Sequence, residues 1–418
     1  MLVGALCAGA AFAVVSQFPR SGPEASYVIG NTPILHVVVI MKENHAFDNY
    51  FGTFPGADGI PGNVSLPDGH GGTVSPHWIN GSSTPDLPHS REAMIFSWNN
   101  GSNDGFSIMA ETWGEGLGAM AMGYYDDRQL PYYWSLARDY ALADRYFTPM
   151  FGPTIPNRLY SISGTNGGLT TNAIDLANID LPTIFDQLEA RGISWRYYYS
   201  PFEPYLPLLR YLRHIDASPR MASKILPMDA LLRDVRAGNV AQVVYIDPAA
   251  NLSISEHAPG DVTAGEEWTK SVIEAFMDAP QWDSMAIMLT MDESGGFYDH
   301  VPPPQVDEWG YAFRIPFILV SPYARRGWID HTVMDHTSIL KFIGSNWGLP
   351  PLTDRQAAAS DLTTMFDFSS SVHADSQEGR ILGNDGGLLE EIQSVFAEAI
   401  PRKSRSQQGI HPLHDLLQ

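Results

Sequence analysis

The chain has 418 residues, with 47 acidic against 25 basic side chains and a formal net charge of −22. Hydrophobic residues make up 44% and aromatics 11%, enough for a sizeable core, which excludes wholesale disorder. The negative field repels phosphate backbones and argues against a nucleic-acid or anionic-membrane binder, and a single cysteine, Cys7, excludes a disulfide framework or a cysteine-based metal cluster.

Residues 1–18 are an uncharged run of apolar and small side chains, short for a membrane span, with Ala11-Phe12-Ala13 resembling a small-residue cleavage site. The expectation is a leader or N-terminal anchor over 1–30 and an extracytoplasmic protein, secreted or membrane-anchored; a buried N-terminal helix is the alternative. Residues 35–41 read as a strand buried on both faces, the mark of a parallel sheet inside helices, and the strand runs straight into Glu43-Asn44. Residues 55–105 are rich in Gly, Pro, Ser, Asn and His with little periodicity. They read as a long insertion over one end of the sheet, and His89 lies within it.

A helical pattern covers 132–145, and Phe151-Gly-Pro-Thr-Ile-Pro-Asn-Arg-Leu-Tyr160 follows it. Pro153 and Pro156 stiffen this segment, and helical spacing from Asn157 places Thr154 just before a helix N-terminus, where backbone N–H groups and the macrodipole favour a phosphate anion. Arg158 is placed to add a bidentate contact to that anion; a plain N-cap threonine is the alternative. A helix over 183–191 and a strand over 243–246 precede His257, which sits in a polar, loop-like context. Residues 266–278 carry Trp268, Val272, Ile273 and Phe276 as an apolar stripe at helical spacing. A strand over 285–291 runs into Asp292-Glu293-Ser294-Gly295-Gly296, with His300 soon after; a last strand covers 315–320, and His336 lies beyond it. From about 355 the strand pattern is lost, and 388–400 reads as an amphipathic helix.

The alternation of buried strands and helices implies an α/β domain over 31–350, with a helical or loop extension over 351–418. Ligand sites in open α/β sheets lie beyond the carboxyl ends of strands. If the two acid-ended strands are parallel neighbours, Glu43, Asn44, Asp292 and Glu293 converge. Three carboxylates in a small space repel and raise one another's pKa values unless a cation compensates them. Oxygen-rich ligation suits one divalent ion such as Ca, Mg, Mn, Zn or Fe. The alternative is that each acidic pair caps a turn. Histidines beside a bound anion can bind charge, protonate a leaving group or ligate metal.

Together, Glu43-Asn-His-Ala-Phe-Asp-Asn-Tyr-Phe-Gly52, Gly152-Pro-Thr-Ile-Pro-Asn-Arg158, Ser255-Glu-His257, the run from Trp282 to Pro304 and Asp335-His336-Thr337-Ser338 resemble, in order, the motifs of the bacterial and archaeal phosphoesterase family of phospholipases C and acid phosphatases. The resemblance spans roughly residues 34–348. It implies an alkaline-phosphatase-like three-layer sandwich, a central, mostly parallel sheet flanked by helices, and metal-dependent hydrolysis of phosphate esters through a hydroxyl nucleophile. By that resemblance Glu43, Asn44, Asp292 and Glu293 hold the metal, with Thr154 as nucleophile and fifth ligand. His257 and His300 are the catalytic histidines near the phosphate, and His89, Arg158 and His336 contact the substrate. His45-Ala46 departs from the family pattern, which usually has a serine at the second position. Threonine in place of serine as nucleophile looks more like the phospholipase C branch. An acid phosphatase and a non-catalytic cell-surface binding protein stay open, as do a phospholipid head group as substrate and a transient contact with a membrane surface. Tyr132, Tyr133, Trp134, Tyr197, Tyr198, Tyr199 and Trp98 read chiefly as core, with an aromatic cage for choline as the alternative.

Overall fold

The computed structural model describes residues 27–173, 179–200, 207–249 and 251–369. Eight strands build the central sheet: β1 (His36–Lys42), β2 (Ala141–Ala143), β3 (Trp195–Tyr199), β4 (Ile225–Pro227), β5 (Val243–Asp247), β6 (Met285–Met291), β7 (Phe317–Val320) and β8 (Trp328–Asp330). Their spatial order is β8-β2-β7-β6-β1-β5-β3-β4. Only β7 runs against its neighbours; the other pairings are parallel. Every residue of β1 and β6 is buried, so these strands are apolar without alternation, as the sequence pattern implies.

The helices that matter here are α1 (Arg91–Trp98), α2 (Pro131–Asp139), α3 (Thr154–Ser163), α4 (Ile184–Arg191), α5 (Leu231–Arg236), α6 (Val262–Met277) and α7 (His336–Trp347). Strand alternation separates them into two layers. Tyr245 of β5, level with Val39 of β1, donates from its hydroxyl to Ser161 O of α3, and Phe185 of α4 packs edge-on against it. Lys42, on the opposite face of β1, reaches α6, where Nζ donates to Gly265 O. One layer is therefore α3, α4 and α7; the other is α2, α5 and α6. The expected three-layer α/β architecture is present.

Several local expectations change. The helix expected over 132–145 stops at Asp139, and Ala141–Ala143 becomes a strand wedged between β7 and β8, where three small or branched buried side chains suit a crowded sheet position. β3, β4 and β8 are strands that the sequence pattern did not mark. The 55–105 segment contains α1 as well as short strands. Packing extends beyond 31–350: Val28 N–H donates to Gln242 Oε1 and Val28 O accepts from Trp347 Nε1, while Phe366 stacks on Phe342 at 5.0 Å. The 1–18 run and the 388–400 helix lie outside the described residues. Among the described residues no helix is long and apolar enough to cross a membrane.

Candidate active site

β1 and β6 are parallel neighbours in a register that pairs Ile40 with Leu289 and Lys42 with Met291. The next residues, Glu43 and Asp292, therefore leave the sheet side by side, and Asp292 N–H donates to Lys42 O at 3.1 Å. Asn44 follows with φ +65°, a left-handed conformation that Asn tolerates better than most residues. Its N–H donates to Asp292 Oδ1 at 3.3 Å. On the other strand Gly295 has φ +64°, and a Cβ there would lie 2.1 Å from Asn44 O. At Gly296, φ +77°, a Cβ would lie 2.7 Å from Pro88 O, beside His89. Two glycines thus let the β6 turn press directly on backbone from the β1 turn and from the insertion.

Glu43, Asn44, Asp292 and Glu293 are all buried. Glu43 Oε2, Asn44 Oδ1 and Glu293 Oε1 have no hydrogen-bond partner, although buried polar atoms are nearly always paired. Burial first, and the charge of Asp292 second, push the pKa values of Glu43 and Glu293 upward. His257 and Arg158 pull Glu43 the other way without prevailing. Orphaned oxygens on three of the five expected ligands, in a site where the carboxyls resist ionising together, fit a hard divalent cation.

Thr154 is the first residue of α3, with Pro153 as its N-cap. Arg158 stands four residues on and so shares its face, about 6 Å along the axis. The guanidinium of Arg158 lies against the acidic cluster: Nε donates to Asp292 Oδ2 at 3.0 Å, Nη1 to Asp247 Oδ1 at 2.7 Å, and Nη2 to Lys42 O at 3.1 Å, with Glu43 Oε1 3.6 Å away. Thr154, one turn before Arg158 on the same face of α3, is only half-buried. Asn157, wholly buried, holds the approach to it: its Oδ1 accepts from Met150 N–H at 3.1 Å, and Nδ2 donates to Gly152 O at 2.6 Å and Pro153 O at 3.1 Å.

Two expected substrate contacts and one expected catalytic histidine are engaged by the chain itself. Arg158 is spent on chain carboxylates and carbonyls, so it braces the ligands instead of offering a free fork to an anion. His336 is fully buried; Nε2 meets Asp292 O at 3.0 Å and Nδ1 meets the Tyr146 hydroxyl at 3.1 Å, and burial lowers its pKa to about 3. A neutral imidazole that donates from Nε2 and accepts at Nδ1 is a strut behind Asp292. His300, expected to be catalytic, pairs through Nδ1 with Asp48 Oδ2 at 2.7 Å and through Nε2 with Asp58 Oδ1 at 3.3 Å. Burial pulls its pKa down, but the Asp48 hydrogen bond and charge, with Asp299, outweigh it and the net shift is upward. Its network shares no side chain with the Arg158 cluster. The helix end is also less of an anion trap than expected: Ile155 N–H is taken by Asn172 Oδ1 at 2.8 Å, and Pro156 has no N–H.

His89 and His257 do face the ligands. Each fixes its tautomer by pairing Nδ1 with a backbone carbonyl at 2.6 Å, Leu87 O and Ala258 O respectively. His89 Nε2 lies 3.5 Å from Asn44 Nδ2, and the two rings meet edge to face with centroids 5.7 Å apart. One donor atom from each of Asp86, His89 and His257 falls within 4.8 Å of the others. The sequence pattern does not single out Asp86 or Asp247. Asp247 obeys the strand-end rule, because β5 runs one residue past Ile246. The aromatics bear out the core reading: Tyr133, Trp134, Tyr197 and Tyr198 are buried, and the Tyr197 hydroxyl donates to Asp247 Oδ2.

The model of the phosphoesterase family matches residues 34–350. The non-hemolytic phospholipase C of Pseudomonas aeruginosa is 29% identical over 405 residues, covering 80% of this chain and 57% of its own length, so this chain spans little more than half of that relative. The non-specific phospholipase C1 of Arabidopsis thaliana is 31% identical over 393 residues, covering 83% of this chain and 73% of its own. A solved structure from Vibrio parahaemolyticus, described as a protein of the alkaline phosphatase superfamily, aligns over 82% of this chain and 74% of its own, with a TM-score of 0.43 and 10% identity. The ordered match across most of the described fold makes the chain a member of the phosphoesterase family.

Proposed function

We propose that the chain is a metal-dependent phosphoesterase of phospholipase C type that cleaves phosphate esters through the Thr154 hydroxyl, outside the cytoplasm. The observation that carries this reading is the set of buried oxygens without partners: Glu43 Oε2, Asn44 Oδ1 and Glu293 Oε1. With Asp292 and Thr154 they are the donors for a divalent cation. Such an ion, when bound, supplies Lewis-acid polarisation and lowers the pKa of a nearby hydroxyl. The relatives, phospholipases C, favour a phosphodiester substrate, with a phospholipid head group as its source, over a phosphomonoester.

The chain's own residues then do the following. Thr154 Oγ1 loses its proton to water and attacks phosphorus, and the bond from phosphorus to the leaving alcohol breaks as the phosphothreonine bond forms. Protonated His257 gives the departing oxygen its proton from Nε2, the nitrogen left free by the Ala258 contact. In the second half His257 takes a proton from a water that attacks phosphorus, the bond from phosphorus to Thr154 Oγ1 breaks, and solvent returns to Oγ1 the proton it lost. His89 faces the non-bridging oxygens from the insertion, and Arg158 keeps Asp292 and Asp247 in place. A second reading of the histidines follows from the convergence of Asp86, His89 and His257, which can hold a further cation; a stoichiometry of two metals per chain supports it, and one per chain removes it.

The test is hydrolysis of nitrophenyl phosphorylcholine against nitrophenyl phosphate, with and without chelator. The expected result is faster, chelator-sensitive turnover of the phosphorylcholine ester. Preference for the monoester turns the reading to an acid phosphatase. Absence of turnover over a broad ester panel, with metal bound, leaves a non-catalytic binding protein.

A further inference from the structure

Beneath the ligands lies a second polar assembly that the mechanism does not use. Lys42, the last residue of β1, is wholly buried, and its Nζ makes three contacts: Glu256 Oε1 at 2.7 Å, Thr269 Oγ1 at 2.8 Å and Gly265 O at 3.0 Å. An ammonium has three N–H groups, so all are engaged. Glu256 is wholly buried too. Its Oε1 also accepts from the Tyr133 hydroxyl at 2.6 Å, and its Oε2 from the Tyr50 hydroxyl at 2.8 Å. Its carbonyl meets His45 Nε2 at 2.8 Å. The backbone of Glu256 is left-handed, φ +71°, a conformation that non-glycine residues rarely adopt. A Cβ on Gly265 would lie 2.3 Å from Glu256 Cγ, so the absence of a side chain there leaves room for this carboxylate.

The sequence positions give the pair its meaning. Lys42 precedes Glu43, and Glu256 precedes His257. Strand alternation sends Lys42 down to the α6 layer and Glu43 toward α3. Glu43 N–H also donates to Ser255 O at 3.0 Å, so the two segments are joined through backbone above and through the ion pair below. A buried ion pair is a poor source of stability, since an apolar replacement of both partners is often neutral or better. Geometry explains it where stability does not.

We propose that Lys42 and Glu256 are positioning residues that fix where Glu43 stands relative to His257, and so tune cation affinity and turnover without touching substrate. This rests on the cation-dependent reading above. The test is the pair replacement Lys42→Met with Glu256→Gln, beside Tyr50→Phe and Tyr133→Phe, which each remove one hydrogen bond to Glu256. Mn²⁺ titration of the purified chain, followed by the electron paramagnetic resonance of free Mn²⁺, gives the affinity; melting temperature, kcat and KM on nitrophenyl phosphorylcholine complete the readout. For the double variant the melting temperature stays near wild type while Mn²⁺ affinity and kcat each fall about 10- to 100-fold, with KM less changed. The tyrosine variants each weaken Mn²⁺ binding about fivefold, the scale of one hydrogen bond. Wild-type affinity and kcat in the double variant overturn the proposal, and if that variant does not fold, wild-type behaviour of both tyrosine variants overturns it. Wild-type protein that takes up no Mn²⁺, with Glu43→Gln indistinguishable from it, overturns the cation reading itself and this inference with it.

Discussion

Two buried acidic clusters stand in this molecule, and they differ in how completely they are closed. Around Arg314 every charge is met within the chain: Nε donates to Asp299 Oδ1 at 2.9 Å, Nη2 to Asp48 Oδ1 at 2.9 Å, and Nη1 to the carbonyls of Asp58 and Asp144. His300 completes that set through Asp48. Around Arg158 the guanidinium is equally occupied, yet Glu43 Oε2, Asn44 Oδ1 and Glu293 Oε1 at the same strand ends lack partners. Composition does not separate the two clusters, since both offer carboxylates, one arginine and histidine. Saturation does. A closed cluster holds structure, and an open one is built for something it does not itself contain.

The contrast can be broken or sharpened in descending order of effect. Thr154→Ala should lower kcat by about a thousandfold or more while leaving the melting temperature unchanged, because it removes the reacting oxygen and little packing; retained activity defeats the nucleophile assignment. Arg314→Met should destabilise the fold by about 3–5 kcal/mol in chemical denaturation, since it strands buried Asp48 and Asp299; a loss below about 1 kcal/mol would erase the distinction drawn here. Adding Mn²⁺ at a hundred times its dissociation constant should stabilise wild type by about 2.7 kcal/mol and leave Glu293→Gln nearly unmoved. In the same variant, measured with chelator present, stability should match or exceed wild type, since one repelling carboxylate is gone.

The smallest effect concerns an acid outside both clusters. Glu266 on α6 accepts from Tyr133 N–H, and burial raises its pKa from 4.5 to about 8 against that hydrogen bond. A raised folded-state value means that the folded protein prefers the protonated acid. The contribution is full below about pH 4.5 and is lost as pH climbs toward 8. Wild type should therefore lose stability relative to Glu266→Gln across that window, and parallel pH–stability curves for the two proteins would contradict this.

The sheet centre and the convergence of Glu43, Asn44, Asp292 and Glu293 were legible because one rule generates both. Strands 35–41 and 285–291 are apolar at every position and end in acids, and adjacency in a parallel sheet does the rest. The edges were harder to read. Ala141–Ala143 follows a helix with one intervening residue, and nothing local distinguishes its three residues from a continuing turn. Trp195–Tyr199 is a strand whose aromatics look equally apt for a cage, until burial on both faces decides. The chain partners of Arg158, His300 and His336 were not legible, for a common reason. A sequence shows that a side chain can bind an anion, whereas only the fold shows whether a carboxylate or carbonyl of the chain has reached it first. Lys42 follows an apolar strand and Glu256 lies inside the Ser255-Glu-His257 motif, but nothing local shows that the two side chains pair.

The glycines at 295 and 296 bear on how this protein can change. Where they touch Asn44 and Pro88 the floor of the site is backbone against backbone, and no side chain there is available to be exchanged. The opposite wall is different, since Asp86, His89 and α1 belong to a segment with partly exposed Ile95 and Phe96. Natural drift or laboratory selection for new esters thus has a direction built in: variation is admissible in the roof and close to lethal in the floor. A library confined to α1, residues 91–98, should yield altered substrate preference with cation binding intact, and one aimed at 292–296 should yield mostly inactive protein.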